Sequence, residues 1–301
     1  MRFEKYERPT SVEECIQLLC QYKADARLLA GGTDLIPRLR AETLSVKAVI
    51  DMAHIPELRE TEETDGYLFL GCMQRLADIQ KKSRFSQPYA VLSSCAGHVS
   101  SMQIRNVATL GGNTCNASPG ADTVPGLLVL DAECCIRGRE GRRYTDLADF
   151  FLAPGTTALR EGELLEGFQI PTASPHTGAA YEKYSIRGDS DISIVGAGAS
   201  LTLDARKRIR RARIALAAVA PTPLRVREAE ECLTGEIFSR DLLEKVISIC
   251  ERTCEPISDQ RASASYRREM VSVFTRKALC RAFELAEASF DDSPKASSLN
   301  N

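Results

Sequence analysis

Leu28-Leu29-Ala30-Gly31-Gly32-Thr33-Asp34-Leu35 and, further on, Ile104-Arg105-Asn106-Val107-Ala108-Thr109-Leu110-Gly111-Gly112-Asn113 each set a glycine pair beside a threonine. Glycine reaches positive φ and carries no Cβ, so consecutive backbone N–H groups can turn toward one anion that approaches closely. One charge at such a turn gains only about 0.3–1 kcal/mol, so tight binding needs several N–H groups to converge. A single Gly-Gly pair reads as a tight turn. Two loops, each with its own hydroxyl, read as a cradle for a diphosphate. Neither segment fits Gly-x-Gly-x-x-Gly or the phosphate loop ending Gly-Lys-Ser/Thr, which argues against the Rossmann and nucleoside-triphosphatase classes.

Outward from the first loop, Ala26–Ala30 reads as a strand and Leu35–Leu39 as a short helix or turn. Upstream, Thr10-Ser11-Val12-Glu13 reads as a capping box ahead of a helix carrying Val12, Cys15, Ile16, Leu18 and Leu19 on one side. Strands are predicted at Ala48–Asp51 and Tyr67–Gly71, and helices at Leu76–Lys82 and Ala90–Val99. This mixture lacks regular βαβ repetition and predicts an α+β fold. The breakers in Pro171-Thr172-Ala173-Ser174-Pro175-His176-Thr177-Gly178 mark a boundary. Beyond it, Ala179–Ser185, Ile192–Leu203 and Arg211–Ala220 read as extended segments, the last two joined around Asp204–Arg210. Helical spacing follows at Arg225–Thr234, Ser239–Thr253 and Ala262–Ala288. The second part is therefore expected to be a small antiparallel sheet with helices, over residues 178–288 after a first domain at 1–175. Ser289–Asn301 is polar and reads as a frayed tail.

At 301 residues the chain is long enough for about two domains. Its 39 Lys and Arg against 41 Asp and Glu leave a net charge of −2, so no global positive field favours nucleic acid or an anionic membrane. The most basic stretch, Arg206 to Arg213, has no aromatic platform or RNA-binding motif beside it and reads as a solvated hairpin. Apolar runs such as Ile214–Ala220 fall far short of the roughly 18 residues of a membrane span, and Met1–Pro9 alternates charges with aromatics, unlike a secretory signal. A cytoplasmic location without membrane insertion is expected. The cysteines number 11, an odd count without a Cys-x-x-Cys pair, and read as reduced, mostly buried thiols rather than disulfides or metal ligands.

Five ordered motifs carry a family resemblance. They are Ala30-Gly31-Gly32-Thr33-Asp34; Gln103-Ile104-Arg105-Asn106 through Thr109-x-Gly111-Gly112-Asn113; Asn116-Ala117-Ser118-Pro119-x-x-Asp122; Lys183-x-x-x-Arg187-x-x-x-Asp191-Ile192; and Val219-Ala220-Pro221-Thr222-Pro223. Over nearly its whole length the chain resembles the FAD-binding (medium) subunit of the molybdenum hydroxylases, the group of xanthine dehydrogenase and carbon monoxide dehydrogenase. The resemblance implies a two-part FAD-binding domain of the vanillyl-alcohol-oxidase (PCMH) type, then a small C-terminal domain of antiparallel sheet plus helices. It implies non-covalent FAD, with the diphosphate against Leu28, Leu29, Ala30, Gly31, Gly32, Thr33, Asp34 and Leu35 and against Thr109, Leu110, Gly111, Gly112 and Asn113. Asn116 and Asp122 match cofactor-contacting positions, Leu165 an apolar wall residue, and Lys183 a cofactor-contacting lysine that would stabilise anionic reduced flavin. At Val99 related chains often carry an aromatic residue.

These roles are physically reasonable. A carboxylate repels phosphate, so Asp122 would accept hydrogen bonds from ribityl or ribose hydroxyls or from loop N–H groups. Its bland reading is a helix N-cap, and that of Lys183 an exposed strand lysine. Arg187 and Asp191 read equally well as a mutual pair that fixes the strand. His54, His98 and His176 lie in no attachment motif. The resemblance also implies partners: an iron–sulfur subunit with 2Fe-2S clusters and a molybdenum-cofactor subunit, arranged as a dimer of heterotrimers. FAD would collect single electrons and pass hydride to NAD or another acceptor, with no protein acid or base as catalyst and no metal site. The continuity from Asn113 to Asn116 leaves no insertion for the 4Fe-4S cluster of benzoyl-coenzyme-A-type reductases. The wording is closest to purine (xanthine) or nicotinate-type dehydrogenases. Two other readings stay open: a stand-alone NADPH reductase resembling UDP-N-acetylenolpyruvoylglucosamine reductase, and a non-catalytic assembly subunit.

Overall fold

A computed structural model describes residues 3–81, 85–188 and 190–290. Its first helix, Val12–Tyr22, is capped one residue later than expected: Ser11 Oγ accepts from Glu14 N at 3.2 Å, and Glu14 Oε2 accepts from Thr10 N at 2.7 Å. Thr10 with Glu13 has the same spacing, but the Glu13 carboxylate turns away to accept from Arg137 at 2.8 Å. The helix buries Val12, Cys15, Ile16 and Leu19. Beside it lies a parallel sheet of three strands in the order Lys5–Glu7, Ala48–Asp51, Ala26–Leu29. The first glycine loop leaves this sheet directly after Leu29 and enters the short helix Leu35–Arg40.

The second layer is a five-stranded antiparallel sheet in the order Thr61–Glu63, Tyr67–Gly71, Leu164–Pro171, Glu133–Gly138, Gly141–Asp146. Its middle strand arrives last in sequence and inserts between two hairpins. Of these five strands only Tyr67–Gly71 is expected from the sequence; charge obscures the others, and in the folded chain part of it is paired, Arg142 clasping Glu166 and Arg143 clasping Glu163 through two bonds each, at 2.6–2.8 Å. The expected helices appear in shortened form, Leu76–Ile79 and Ala90–Gly97. Lys82, the expected end of the first, lies outside the described residues. No helix is expected from the sequence at Met102–Arg105, Leu110–Cys115 or Leu147–Phe150, and Thr123–Val129 is offered only through the N-cap reading of Asp122.

The C-terminal part follows the expectation closely. Strands Thr177–Tyr184, Val195–Leu203 and Ile209–Ala217 form an antiparallel meander, with Leu224–Arg225 added at the edge. Helices Arg227–Leu233, Arg240–Thr253 and Ala264–Ala288 follow. All nine residues of Val195–Leu203 are buried, because Ala264–Ala288 packs on the strands from one side and Thr123–Val129 touches them from the other. Two-sided burial replaces alternation by a continuous run of small apolar residues. The approach is close: a Cβ on Gly178 would stand 2.2 Å from Ala282 O. One apolar core fills the first part and a second lies between this sheet and its helices.

The basic stretch is a hairpin, as expected, but is not merely solvated. Arg211 and Arg213 bond Asp131, Lys207 bonds Glu287 at 2.6 Å, and Arg225 joins Asp131 at 2.9 Å and Glu230 at 2.6 Å. The Asp131 pairs sew the second sheet to the end of helix Thr123–Val129, while Lys207 and the Arg225–Glu230 pair tie it to its own helices. The fraying expected from Ser289 does not begin there. Ser289 Oγ donates to Ala286 O at 2.7 Å, and Phe290 stacks on His176 with ring centroids 3.6 Å apart. Residues 291–301 lie outside the described residues. Every cysteine is described and carries a free thiol. Among the described residues no helix is long and apolar enough to cross a membrane.

Candidate functional site

The two glycine segments, far apart in sequence, touch through their backbones. A Cβ on Gly31 would stand 2.2 Å from Val107 O and 2.8 Å from Ala108 Cα, so only glycine allows the approach. Gly32 has φ +73°, the left-handed region that glycine enters without strain. Asn116 Nδ2 donates to Asp34 Oδ1 at 3.2 Å and ties the loops across the gap. Between them opens a cavity of about 540 Å³, within the range of cofactor sites.

The loops serve this cavity differently. In the first, the backbone N–H groups of Gly31, Gly32, Thr33 and Asp34 meet no acceptor among the described residues, and all four residues line the cavity. In the second, the N–H groups are already used: Leu110 N donates to Gln74 O, Gly111 N to Cys72 O, Gly112 N to Thr109 Oγ1 and Asn113 N to Thr109 O, at 2.8–3.1 Å. The expectation that both loops turn N–H groups toward one anion therefore fails for the second, and only the first keeps N–H groups without an acceptor among the described residues. In the second, glycine permits packing: a Cβ on Gly111 would stand 2.5 Å from Cys72 Cβ. Thr109, the N-cap of Leu110–Cys115, holds the segment in place. Asn113 Oδ1 accepts from Thr123 Oγ1 at 2.6 Å, which leaves the amide NH2 as a donor.

Of the residues singled out in sequence, Leu28, Ala30 to Leu35, Thr109, Gly111, Gly112, Asn113, Asn116, Asp122 and Leu165 line the cavity. Leu29, Leu110 and Lys183 stand behind its wall. Leu29 packs with Leu39, Val46 and Val49, and Leu110 is 1% exposed in the main core. Lys183 is buried, donating to Asp122 Oδ2 at 2.9 Å and to His98 O at 2.8 Å, which removes the exposed-lysine reading. Asp122 sits at the N-terminal flank of Thr123–Val129, yet its side chain makes no capping bond. Its Oδ1 accepts from Tyr181 Oη at 2.7 Å and from Ser193 Oγ at 2.5 Å. Burial, then the Asp122 charge, pushes the Tyr181 phenol well above its usual range, so it stays protonated as a donor.

Sequence reading missed Arg27 and Arg38, which bring positive charge to the cavity near the first loop. The signal available for Arg38 was its place one turn after that loop, on the short helix Leu35–Arg40. Cys72 and Cys115 also line the cavity, and burial raises both thiols, Cys115 to about 12, so neither is a thiolate nucleophile. Val99 contributes an aliphatic wall. Arg187 and Asp191 do pair, at 3.3 Å, and this contact lowers the Asp191 carboxyl. Among the described residues no cluster of His, Cys, Asp and Glu suits a metal ion.

The residues present fit FAD: unpaired N–H donors and arginines for a diphosphate, amides and a carboxylate for hydroxyls, aliphatic walls for rings. Comparison with known proteins agrees. The family described as FAD binding domain in molybdopterin dehydrogenase matches residues 1–173, and that of the CO dehydrogenase flavoprotein C-terminal domain matches 179–282. The chain is 31% identical to the xanthine dehydrogenase FAD-binding subunit of Escherichia coli O157:H7, covering 94% of this chain and 97% of that one. It is 32% identical to the carbon monoxide dehydrogenase medium chain of Hydrogenophaga pseudoflava, covering 92% and 96%. A solved carbon monoxide dehydrogenase from the latter organism superposes with a TM-score of 0.89 over 94% of this chain and 98% of that chain, at 32% identity. Quinoline 2-oxidoreductase from Pseudomonas putida 86 gives 0.84 over 95% and 99%, at 28% identity. With both of its parts matched and its loops built around a dinucleotide-sized cavity, the chain belongs to the FAD-binding medium subunits of the molybdenum hydroxylases, oxidoreductases of the xanthine and carbon monoxide dehydrogenase family.

Proposed function

We propose that this subunit is the electron outlet of a molybdenum hydroxylase, taking electrons from the 2Fe-2S clusters of one partner and delivering them to NAD. Bound FAD supplies the exchange between one-electron donors and a two-electron hydride acceptor. The chain's own residues bind and orient. Gly31 to Asp34 donate backbone hydrogen bonds to the diphosphate, with Arg27 and Arg38 lending positive charge. Asn113, Asn116 and Asp122 take hydroxyl groups, and Leu165 with Val99 excludes water from the ring system. No side chain acts as acid or base. The observation that carries this reading is the row of four N–H groups on the cavity wall that meet no acceptor among the described residues, half-buried in Gly31 to Thr33 and exposed in Asp34, where an anion can reach them all at once.

In this reading residues 1–175 form the cofactor unit and 178–288 the second unit. The companions are an iron–sulfur subunit and a molybdenum-cofactor subunit, two such heterotrimers pair up, and the assembly works in the cytoplasm on a purine-like or nicotinate-like compound. The test is kinetic. NAD added to the dithionite-reduced, FAD-loaded complex is expected to restore the oxidised flavin spectrum. No reoxidation would exclude NAD as acceptor, and NADPH oxidation by the isolated chain would favour a stand-alone reductase.

A further inference from the structure

The buried Asp122 carboxylate is held from three sides. Three side-chain donors converge on one carboxylate, and all three come from the second sheet or the turn before its next strand: Tyr181 at 2.7 Å, Ser193 at 2.5 Å and Lys183 at 2.9 Å. Asp122 itself belongs to the first part of the chain and borders the cofactor cavity. Tyr181 and Lys183 are two apart on strand Thr177–Tyr184 and share its face. The sheet is cut to make room. Lys183 pairs with Gly196 and Tyr181 with Gly198 in register, and a Cβ on Gly196 would stand 2.6 Å from Tyr181 Oη. The Tyr181 ring is 4% exposed and rests edge-on against His98, whose carbonyl accepts from Lys183.

This arrangement fixes both charge and direction. A buried carboxylate needs its lone pairs filled, and a donor removed leaves an acceptor that seeks another partner. For Asp122 the remaining direction is the cavity. We propose that Tyr181 and Ser193 are positioning residues for the cofactor: by filling Oδ1 they hold the Asp122 charge against Lys183 and away from the flavin, and so set how readily FAD is reduced. This rests on the FAD reading above. With either hydroxyl gone, the carboxylate presents more negative potential to the cavity, and reduced FAD, the more electron-rich form, loses affinity relative to oxidised FAD.

The experiment measures the midpoint potential of FAD on the full chain for wild type, Tyr181→Phe, Ser193→Ala and Gly196→Ala, with Tyr184→Phe as control. Tyr184 lies on the same strand but its hydroxyl meets Tyr266 at 2.8 Å, away from Asp122. The expected result is a lower potential in all three test variants. A tenfold loss of relative affinity for reduced FAD reads as about 30 mV for a two-electron couple. Tyr184→Phe keeps the wild-type potential, and Tyr181→Phe placed on Asp122→Asn adds no further shift. Unchanged potentials in Tyr181→Phe and Ser193→Ala, or the same shift with and without the Asp122 carboxylate, overturn the proposal. Should Gly196→Ala not fold, the two hydroxyl deletions decide alone. Wild-type chain that takes up no FAD would instead overturn the reading on which the proposal rests.

Discussion

Gly31, Gly32 and Gly111 look alike in sequence but do different work. Gly32 supplies a backbone turn, Gly31 lets one loop lie on the other, and Gly111 lets its helix rest on Cys72. Gly31→Ala is expected to drive Val107 away and open the junction, lowering FAD affinity at least tenfold, as read by flavin fluorescence titration. Gly111→Val, with its first carbon already inside the Cys72 contact distance, is expected to lose FAD and to melt earlier, overpacking costing about 1–3 kcal/mol. Lys207→Ala, on the distant hairpin, leaves FAD binding unchanged; equal loss in all three would remove the assignment. The cavity loops were legible because paired glycines and threonines are rare enough to notice. The holders of Asp122 were not, since a tyrosine on a strand and a lone serine carry no local signal until the sheet brings them to a carboxylate about 60–70 residues away in sequence.

Elements whose burial is one-sided or continuous could be read directly: Ala48–Asp51 and Tyr67–Gly71 appear with the expected bounds, and the last three helices within about two residues. Strands Glu133–Gly138 and Gly141–Asp146 could not, because their arginines are satisfied by carboxylates remote in sequence: Arg137 by Glu13, Arg142 by Glu166 and Arg143 by Glu163. Charge that looks solvated in sequence is structural here. Arg225 is the sharpest case, its side chain 5% exposed between Asp131 and Glu230. Arg225→Met leaves two carboxylates without their shared cation, and breaking such a buried pair costs about 3–5 kcal/mol. Chemical denaturation of the variant measures that loss; a change below 1 kcal/mol would show the cluster to be dispensable. Ser239→Ala removes the Oγ that accepts from Leu242 N at the start of Arg240–Thr253, and is expected to cost about 1 kcal/mol.

On the scale of the whole molecule, residues Ser190, Asp191 and Ile192 of the second part complete the wall of the cavity built by the first. Asp122 and the Asp131 cluster, at the two ends of helix Thr123–Val129, both bond the strands beyond residue 177. Cofactor binding and the joint between the parts are therefore one problem, and FAD at a hundredfold excess over its Kd is expected to add about 2.7 kcal/mol to the stability of the full chain. The central claim is narrower: the first loop grips the diphosphate with backbone N–H groups, and the second supports it from behind. A crystal structure of the chain with FAD tests it most directly. The account predicts diphosphate oxygens within hydrogen-bond reach, about 2.7–3.2 Å, of the N–H groups of Gly31 to Asp34, with those of Gly111 and Gly112 still bonded to Cys72 O and Thr109 Oγ1. A diphosphate seated elsewhere, with Gly31 to Asp34 facing solvent, would contradict it.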